Sequence, residues 1–135
     1  AQWRCFWQEP LISQVRNLWF RALHQSLSCK SVLHSILPHI HPTNTCLICN
    51  CNNPDTIFHF LYICPVKWAI WSRVWSDLFL SSLTHDAVHH ATFSLPFPSI
   101  QSRISSHTII AYALHRIWSA HWRFAFDNIP FEIDL

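Results

Sequence analysis

The spacing of apolar residues along the chain predicts a series of short helices. Between residues 10 and 24, apolar side chains recur every three or four positions, as they do on one stripe of an amphipathic helix. The same kind of pattern predicts further helices at 28–37, 55–62, 65–78, 84–94 and 99–127. No alternating pattern of strand length is present. The sequence therefore predicts a mostly α fold.

Capping residues and prolines set the expected ends of these helices. Ser28 and Asp55 stand where the N-caps of the second and third helices are expected. Pro65 should end the third helix at Cys64 and occupy the first turn of the next one. Between the second and third helices, the prolines around 38–44 predict a connector, and the cysteine- and asparagine-rich stretch that follows predicts a loop or tight turn.

The last predicted helix carries two apolar stripes. One includes Ile110, Leu114 and Ile117, and the second has Trp118, Trp122 and Phe126 at steps of four residues. Together they are wider than the surface that one neighbouring element covers. We therefore expect this helix to be packed on two sides.

The composition limits the classes of function. A chain of 135 residues has the size of one domain, and 50% apolar with only 12% charged residues excludes disorder for most of its length. The net charge of +2 gives no basic footprint of the kind that announces DNA binding. Apolar runs are too short for a membrane span, and the first nine residues lack the features of a signal peptide, so we expect an intracellular protein. Glycine and methionine are absent, and we interpret the chain as the C-terminal end of a longer translated product.

Four residues have the spacing of a zinc site. Cys46, Cys49, His59 and Cys64 form a C-x2-C-x9-H-x4-C arrangement. Zinc takes four such ligands in a tetrahedron, and a two-residue spacer lets one tight turn aim both sulfurs at one point. On an unbroken helix, His59 and Cys64 would lie about 140° apart, and we expect Pro65 to unwind the backbone so that the sulfur swings back. The motif predicts a bound Zn²⁺ ion.

Other interpretations of these residue types stay open. Cys51 adds a thiol that we leave outside the ligand set, and the cysteines could instead be small buried apolar side chains or disulfides. His85 and His89 share a helical face as in a metalloprotease motif, but Asp86 replaces the expected glutamate and no third ligand stands out. A solvent-facing histidine cluster is the favoured interpretation. No nucleophile with its partners and no glycine-rich phosphate loop is present, so we expect no catalytic activity.

Nucleic acid could be contacted by basic or aromatic side chains. The candidate cations lie near the predicted metal loop and on the first helix: Arg16, Arg21, Lys30, Lys67 and Arg73. Solvated surface is the competing interpretation of each. The eight tryptophans could stack on unpaired bases, but their helical spacing favours the core.

Several of these motifs occur together, in order, in a known family. The relevant runs are NLWFRALH at 17–24, CLIC at 46–49, DTIFHFLYICP at 55–65, and then Trp68 and Trp71. This arrangement resembles the zinc-binding domain that follows the reverse transcriptase of LINE-type, non-LTR retrotransposons. The resemblance covers residues 17–75. It departs from the family in having Asp55-Thr56 in place of a glutamate-threonine pair and in the additional Cys51.

The resemblance implies both an organisation and a function. Residues 10–80 would be a zinc-binding helical domain with a zinc-knuckle loop, and 81–135 a C-terminal helical extension packed on it. Cys46, Cys49, His59 and Cys64 would be the zinc ligands, in a non-catalytic accessory module that binds RNA or DNA beside the upstream reverse transcriptase region of the same polyprotein. That role implies an intracellular, nuclear location. The alternative is a structural or protein-interaction module, including a decayed retroelement fragment.

Overall fold

The computed structural model describes residues 12–49, 52–79, 82–94 and 106–132, and these are mostly helical, as predicted. The described residues form five α-helices and two π-helical segments. They are α1 (Ser13–Leu23), α2 (Lys30–Ile36), the first π-helix (His59–Ile63), α3 (Pro65–Leu78), α4 (His85–His89), the second π-helix (His90–Ser94) and α5 (Ser106–Asp127). An isolated antiparallel bridge pairs Thr45 with Pro54.

One hydrophobic core joins the N-terminal and C-terminal helices. Helix α1 buries Trp19, whose indole N–H donates to the main-chain oxygen of Thr92 in the second π-helix at 2.9 Å. Helix α3 buries Trp71, whose indole N–H donates to the oxygen of Leu61 at 2.8 Å. Buried polar N–H groups of this kind need an acceptor, and each tryptophan finds one on a neighbouring element. The two bonds fix how α1 and α3 sit against the π-helical segments.

Because the chain lacks glycine, other residues adopt the backbone conformations that glycine usually provides. Gln25, which lies two residues after the end of helix α1, has φ 52°. The next residue, Ser26, donates its N–H to the Arg21 oxygen at 2.9 Å. This is a Schellman-type end, in which a left-handed residue is required just after the helix. Asn52 has φ 59° in the predicted metal loop, and asparagine tolerates this region better than most residues.

Most predicted helix positions are confirmed, and the differences lie at the ends. Pro65 occupies the first turn of α3 as expected. The N-cap of α2 is Cys29 rather than Ser28, and no side chain caps it by hydrogen bond. For the last helix, the expected start at residue 99 lies outside the described residues, and α5 is described from Ser106.

The expectation that α5 is packed on two sides is met by Trp118 and Trp122, which pack against the core, but not by Phe126 at the end of the second stripe. Ile110, Leu114 and Ile117 are fully buried, whereas Trp118 and Trp122 are only partly covered and Phe126 is 75% exposed. Apolar periodicity shows which residues share a face, but it does not show whether another element covers that face. In the described part of the chain, no helix combines the length and apolarity needed to cross a membrane.

Candidate metal centre

A short hairpin presents the first two cysteines. The Thr45–Pro54 bridge brings the ends of the loop together, and the Cys46 N–H donates to the Asn53 oxygen at 3.3 Å. One step further out, the Asp55 N–H donates to the Asn44 oxygen at 2.7 Å. These bonds close the base of the loop that carries Cys46 and Cys49. Cys51 lies outside the described residues.

The first π-helix presents the histidine and the third cysteine. The Cys64 N–H donates to the His59 oxygen at 3.0 Å, which is the i→i+5 bond of a π-helix. This wider turn places residue i+5 above residue i, so His59 and Cys64 point to the same side. Cys64 itself has ψ 125°, outside the helical region, as expected before Pro65. Pro65 therefore takes the backbone at Cys64 out of helical geometry, as predicted. The π-helical turn, which was not predicted, also helps to bring the side chains of His59 and Cys64 to the same side.

The cap of this segment differs from the prediction. The His59 N–H donates to the Thr56 hydroxyl oxygen at 3.2 Å, so Thr56 takes the capping role expected of Asp55. The Asp55 carboxylate instead lies at the start of α2, where the Lys30 N–H approaches it at 3.5 Å. The Asp55 main-chain oxygen also accepts from the Ser31 N–H at 3.2 Å. Asp55 thus joins α2 to the metal hairpin.

The four predicted ligands come together in space. The sulfurs of Cys46, Cys49 and Cys64 and a ring nitrogen of His59 all lie within 4.8 Å of one another. Cys49 Sγ lies 3.4 Å from His59 Nε2. Ligands about 2.0 to 2.3 Å from a tetrahedral zinc ion are separated by about 3.3 to 3.8 Å, so only a small contraction is needed. The cluster could hold a metal ion.

The donor set fits zinc in a structural role. Thiolate and imidazole ligands favour zinc over calcium or magnesium, which take oxygen ligands. Four protein ligands would leave no open position for a substrate or a reactive water. Cys46, His59 and Cys64 are buried and Cys49 is half-buried, so the site is shielded from solvent on most sides. Cys29, Cys46, Cys49 and Cys64 are not joined to one another by disulfide bonds.

The thiols of the cluster interact before any metal is considered. Cys46 and Cys64 share a hydrogen bond, which lowers the pKa of the Cys46 thiol and raises the pKa of the Cys64 thiol. Backbone N–H groups of Ile48 and Cys49 also favour the Cys46 thiolate. Metal binding requires deprotonated sulfur. The loop is therefore arranged to provide a thiolate at lower pH than an ordinary cysteine.

A buried lysine faces this cluster. Lys67 is 0% exposed, and its ammonium group lies 3.8 Å from the centroid of the Phe60 ring. Burial lowers the pKa of Lys67 to about 8, although Asp55 and the three cysteines oppose that shift. A thiolate beside a carboxylate would be costly to bury without a nearby positive charge. Lys67 supplies that charge.

The same ammonium group connects the cluster to α5. Lys67 Nζ donates to His121 Nδ1 at 2.8 Å, and both groups are buried. Burial and the charges of Lys67 and Lys30 lower the pKa of His121. The imidazole is therefore neutral and accepts a hydrogen bond at Nδ1. The hairpin closed by Thr45 and Pro54, helix α3 and helix α5 therefore meet around Lys67.

Asp55 completes the buried charges. It is 0% exposed, and burial raises the pKa of its carboxyl to about 6 against the opposing effect of Lys67. Cys46 pushes the pKa of Asp55 in the same direction as burial, as expected for two acidic groups that share one low-dielectric region. The site therefore balances one buried cation against a carboxylate and several thiols.

The predicted nucleic-acid contacts are dispersed. Arg21 on α1 and Arg73 on α3 are exposed, and Arg16 is half-buried. Lys30 is also half-buried, with its ammonium group 3.1 Å from His41 Nδ1. The prediction that Lys67 contacts nucleic acid is wrong, because a fully buried ammonium group cannot reach a phosphate in this fold. Lys67 belongs to the metal centre, and Arg21, Arg73 and part of Lys30 remain on the surface.

The second histidine motif does not converge on a common point. His85 packs edge-on against the Trp68 ring, with centroids 4.3 Å apart. His89 Nδ1 lies 2.9 Å from the Tyr62 hydroxyl. These contacts join α4 to α3 and to the first π-helix. The two imidazoles therefore have structural contacts of their own, rather than the shared ligand geometry of a metalloprotease.

No sequence motif assigns Lys67 and His121, the polar residues around the ligands, to the metal centre. A lysine in a tryptophan-rich helix is usually a solvated side chain, and His121 stood among apolar residues with no motif to single it out. One signal was available: Lys67 lies four residues before the buried Trp71 of the same helix, so the two share a face. That spacing places the lysine on the buried side of α3.

Comparison with known proteins found no matching family model, no matching curated protein and no matching solved structure.

Proposed function

We propose that this chain is a zinc-stabilised, nucleic-acid-binding accessory module of a retrotransposon reverse transcriptase protein. The observation that carries the proposal is the convergence of Cys46, Cys49, His59 and Cys64 within 4.8 Å. In sequence these ligands stand in the order and spacing of the zinc-binding domain that the chain resembles. The module would have no catalytic role of its own and would act beside the upstream reverse transcriptase region.

Zinc would act here by cross-linking the chain. The ligands come from a hairpin and from the first π-helix, two segments that small local contacts otherwise hold together. In zinc-finger peptides, binding of this kind contributes about 10 kcal/mol or more to folding. The cross-link would fix the tryptophan-rich helix α3, which begins one residue after Cys64. The role of the metal is therefore architectural.

Nucleic acid would bind weakly and with a shallow dependence on salt. The net charge is only +2, and Lys67 is unavailable to phosphates. Each phosphate contact contributes roughly one unit to the slope of log affinity against log salt. With Arg21, Lys30 and Arg73 as the remaining candidates, we expect a slope of about two to three. Strong binding would need the neighbouring part of the polyprotein.

The test has two arms on the same purified chain. Zinc content is measured by elemental analysis, and binding of labelled RNA and duplex DNA is measured by fluorescence anisotropy at about 50 and 200 mM salt. The proposal expects one zinc per chain and salt-sensitive binding at micromolar protein. Absence of salt-sensitive binding to every nucleic acid tested contradicts it.

A structural or protein-interaction module is the second candidate. The burial of Lys67 favours it, because one of the five candidate cations serves the interior of the protein. This candidate expects the same zinc content with no binding to nucleic acid. The two arms of the experiment therefore separate the candidates.

A further inference from the structure

An open groove lies between α1, α2 and α5. It consists of two adjoining cavities of about 350 and 460 Å³ that share Arg21 and Trp118 as lining residues. The first cavity is also lined by Gln14, Asn17, Leu18 and His115, and the second by Ser28, Leu33, His41, Trp122 and Phe126. We call this surface the α1–α5 groove.

One wall of the α1–α5 groove is a row of aromatic rings. Trp118, Trp122 and Phe126 are four residues apart on α5, so they rise along one face at steps of about 6 Å. The rings of Trp122 and Phe126 are stacked, with centroids 5.2 Å apart and planes inclined by 19°. Phe126 is 75% exposed. Because Trp122 and Phe126 each cover one face of the other, the wall offers a ligand the exposed face of Phe126 and the uncovered parts of Trp118 and Trp122.

The rest of the groove combines apolar side chains, Leu18 and Leu33, with hydrogen-bonding groups and positive charge. Arg21 is exposed and lines both cavities, and the Lys30 ammonium group lies 3.1 Å from the lining residue His41. Gln14, Asn17 and Ser28 add groups that donate and accept hydrogen bonds. None of the described residues that line the two cavities is acidic. An apolar peptide helix would leave these polar groups unpaired, whereas a flexible polyanion with flat rings would match both walls.

We propose that the α1–α5 groove binds single-stranded nucleic acid, with bases stacked on Trp118, Trp122 and Phe126 and the backbone held by Arg21. Unpaired bases expose their faces to aromatic side chains, and such stacking is largely independent of sequence. A duplex hides the same faces in its own stack. This inference rests on the proposed function and specifies the form of nucleic acid and the surface that binds it.

The groove is joined to the metal centre by two rings. Trp122 lies 6.0 Å, centroid to centroid, from Phe60, the residue that follows the ligand His59. The His121 ring contacts both of them, at 4.3 Å from Phe60 and 4.8 Å from Trp122. The packing that the zinc ligands organise therefore also supports the Trp122 face. The site is on a rigid element, as a stacking platform requires.

Binding measurements on the full chain test the groove. The probes are labelled oligouridylate of about 16 nucleotides and a duplex of the same length, both added to zinc-loaded protein. The groove variants are Phe126→Ala and Arg21→Ala. The matched controls are Tyr112→Ala, a partly exposed aromatic on α5 outside the groove, and Arg116→Ala, an exposed arginine on α5 that lines neither cavity. Zinc content and circular dichroism verify that each variant is folded.

We expect the two groove variants to weaken oligouridylate binding by at least ~5-fold each, while the controls change it by less than ~2-fold. Photo-crosslinking with 4-thiouridine gives a second readout. Trypsin cleaves after Arg116 and Arg123, so cross-links should appear on the peptide 117–123, which carries Trp118 and Trp122, or on the peptide 124–135, which carries Phe126. The duplex should bind more weakly than the single strand.

Two results overturn the inference in distinguishable ways. If the wild type binds nucleic acid but groove and control variants behave alike, or cross-links fall elsewhere, the groove is wrong and the proposed function stands. If the wild type binds neither probe, the proposed function fails and the groove proposal fails with it. Self-association that Phe126→Ala abolishes, without any binding of oligouridylate, would mark the groove as a protein interface and contradict the inference.

Discussion

The metal centre and the α1–α5 groove lie on either side of Phe60 and Trp122, but their side chains are held very differently. At the metal centre, Lys67 is fully buried and each polar group depends on its neighbours. In the groove, Arg21 and Phe126 are exposed and belong to no buried network. The loss of one buried charge leaves another uncompensated, whereas the loss of one exposed ring leaves only a smaller surface. Changes at the metal centre should therefore act on folding, and changes in the groove on binding.

The largest expected effect is the loss of a zinc ligand. We expect Cys64→Ser to lose stoichiometric zinc and with it binding energy of about 10 kcal/mol or more that holds the hairpin to the first π-helix. Thermal unfolding followed by circular dichroism should show a less cooperative transition at lower temperature. Cys29→Ala is the control, since Cys29 is a buried free thiol outside the ligand cluster. Equal zinc content in the two variants would contradict the assignment of Cys64.

The next largest effect is expected at Lys67. Lys67→Met leaves Asp55 and the cysteine cluster without their buried cation, which should cost about 3 to 5 kcal/mol in the free energy of unfolding. Adding Asp55→Asn removes the unpaired carboxylate and should recover part of that loss. Denaturant unfolding measures both changes.

Arg73→Met serves as the matched control for the lysine variant. Arg73 lies on the same helix but is exposed, and we expect a change within about 0.5 kcal/mol. If Lys67→Met were as mild as Arg73→Met, the proposed charge balance around the cluster would be wrong.

A smaller effect, with a distinct pH dependence, is expected at His121. Its folded pKa lies below the ordinary value, so the unfolded chain takes up the proton first as the pH falls. The stability that neutral His121 contributes is thus complete above about pH 6.5 and is lost below it, at up to about 1.4 kcal/mol per pH unit. His121→Leu should abolish this part of the slope and, because Lys67 loses its acceptor, cost about 1.5 to 3 kcal/mol at pH 7.

The pH slope is isolated by comparing variants that keep all four ligands. Wild type, His121→Leu and His90→Leu share the same cluster, so acid release of metal affects them alike. His90 is exposed, and its replacement should leave the slope of the wild type unchanged. Parallel curves for wild type and His121→Leu would show that the imidazole does not stay neutral in the fold.

The smallest effect on stability is expected in the groove. Phe126→Ala should change the free energy of unfolding by no more than about 0.5 kcal/mol, because the side chain is 75% exposed. Arg21→Ala should likewise fold normally and reduce the salt slope of nucleic-acid binding by about one. Denaturant unfolding and anisotropy at several salt concentrations measure the two quantities. Strong destabilisation by Phe126→Ala would erase the contrast between the two regions.

The sequence is most informative where the spacing of particular residues restricts the local geometry. The C-x2-C pair and the later histidine and cysteine identified four residues that the structure brings together, and Pro65 identified the start of α3. The π-helical turn could not be predicted, because it depends on one i→i+5 bond that the helical period does not encode. The sequence thus predicts the four candidate ligands, but it does not predict the π-helical turn that brings His59 and Cys64 together.

The sequence was least informative where tertiary contacts decide the outcome. Lys67 has the residue type of a surface cation, yet its ammonium group is enclosed by Phe60 on the preceding π-helix and by His121, which lies 54 residues later in the sequence. Trp118, Trp122 and Phe126 have the period of a packed face, but the described elements leave that face partly open. Burial of a polar residue and exposure of an apolar one both depend on neighbours that a local pattern does not specify.

X-ray absorption spectroscopy at the zinc edge tests the metal centre most directly. On purified protein with one bound ion per chain, the account predicts three sulfur neighbours at about 2.3 Å and one nitrogen neighbour at about 2.0 to 2.1 Å. In Cys64→Ser, one sulfur neighbour should be lost. A protein that folds without bound metal, or a first shell of oxygen and nitrogen atoms with no sulfur, would contradict the account.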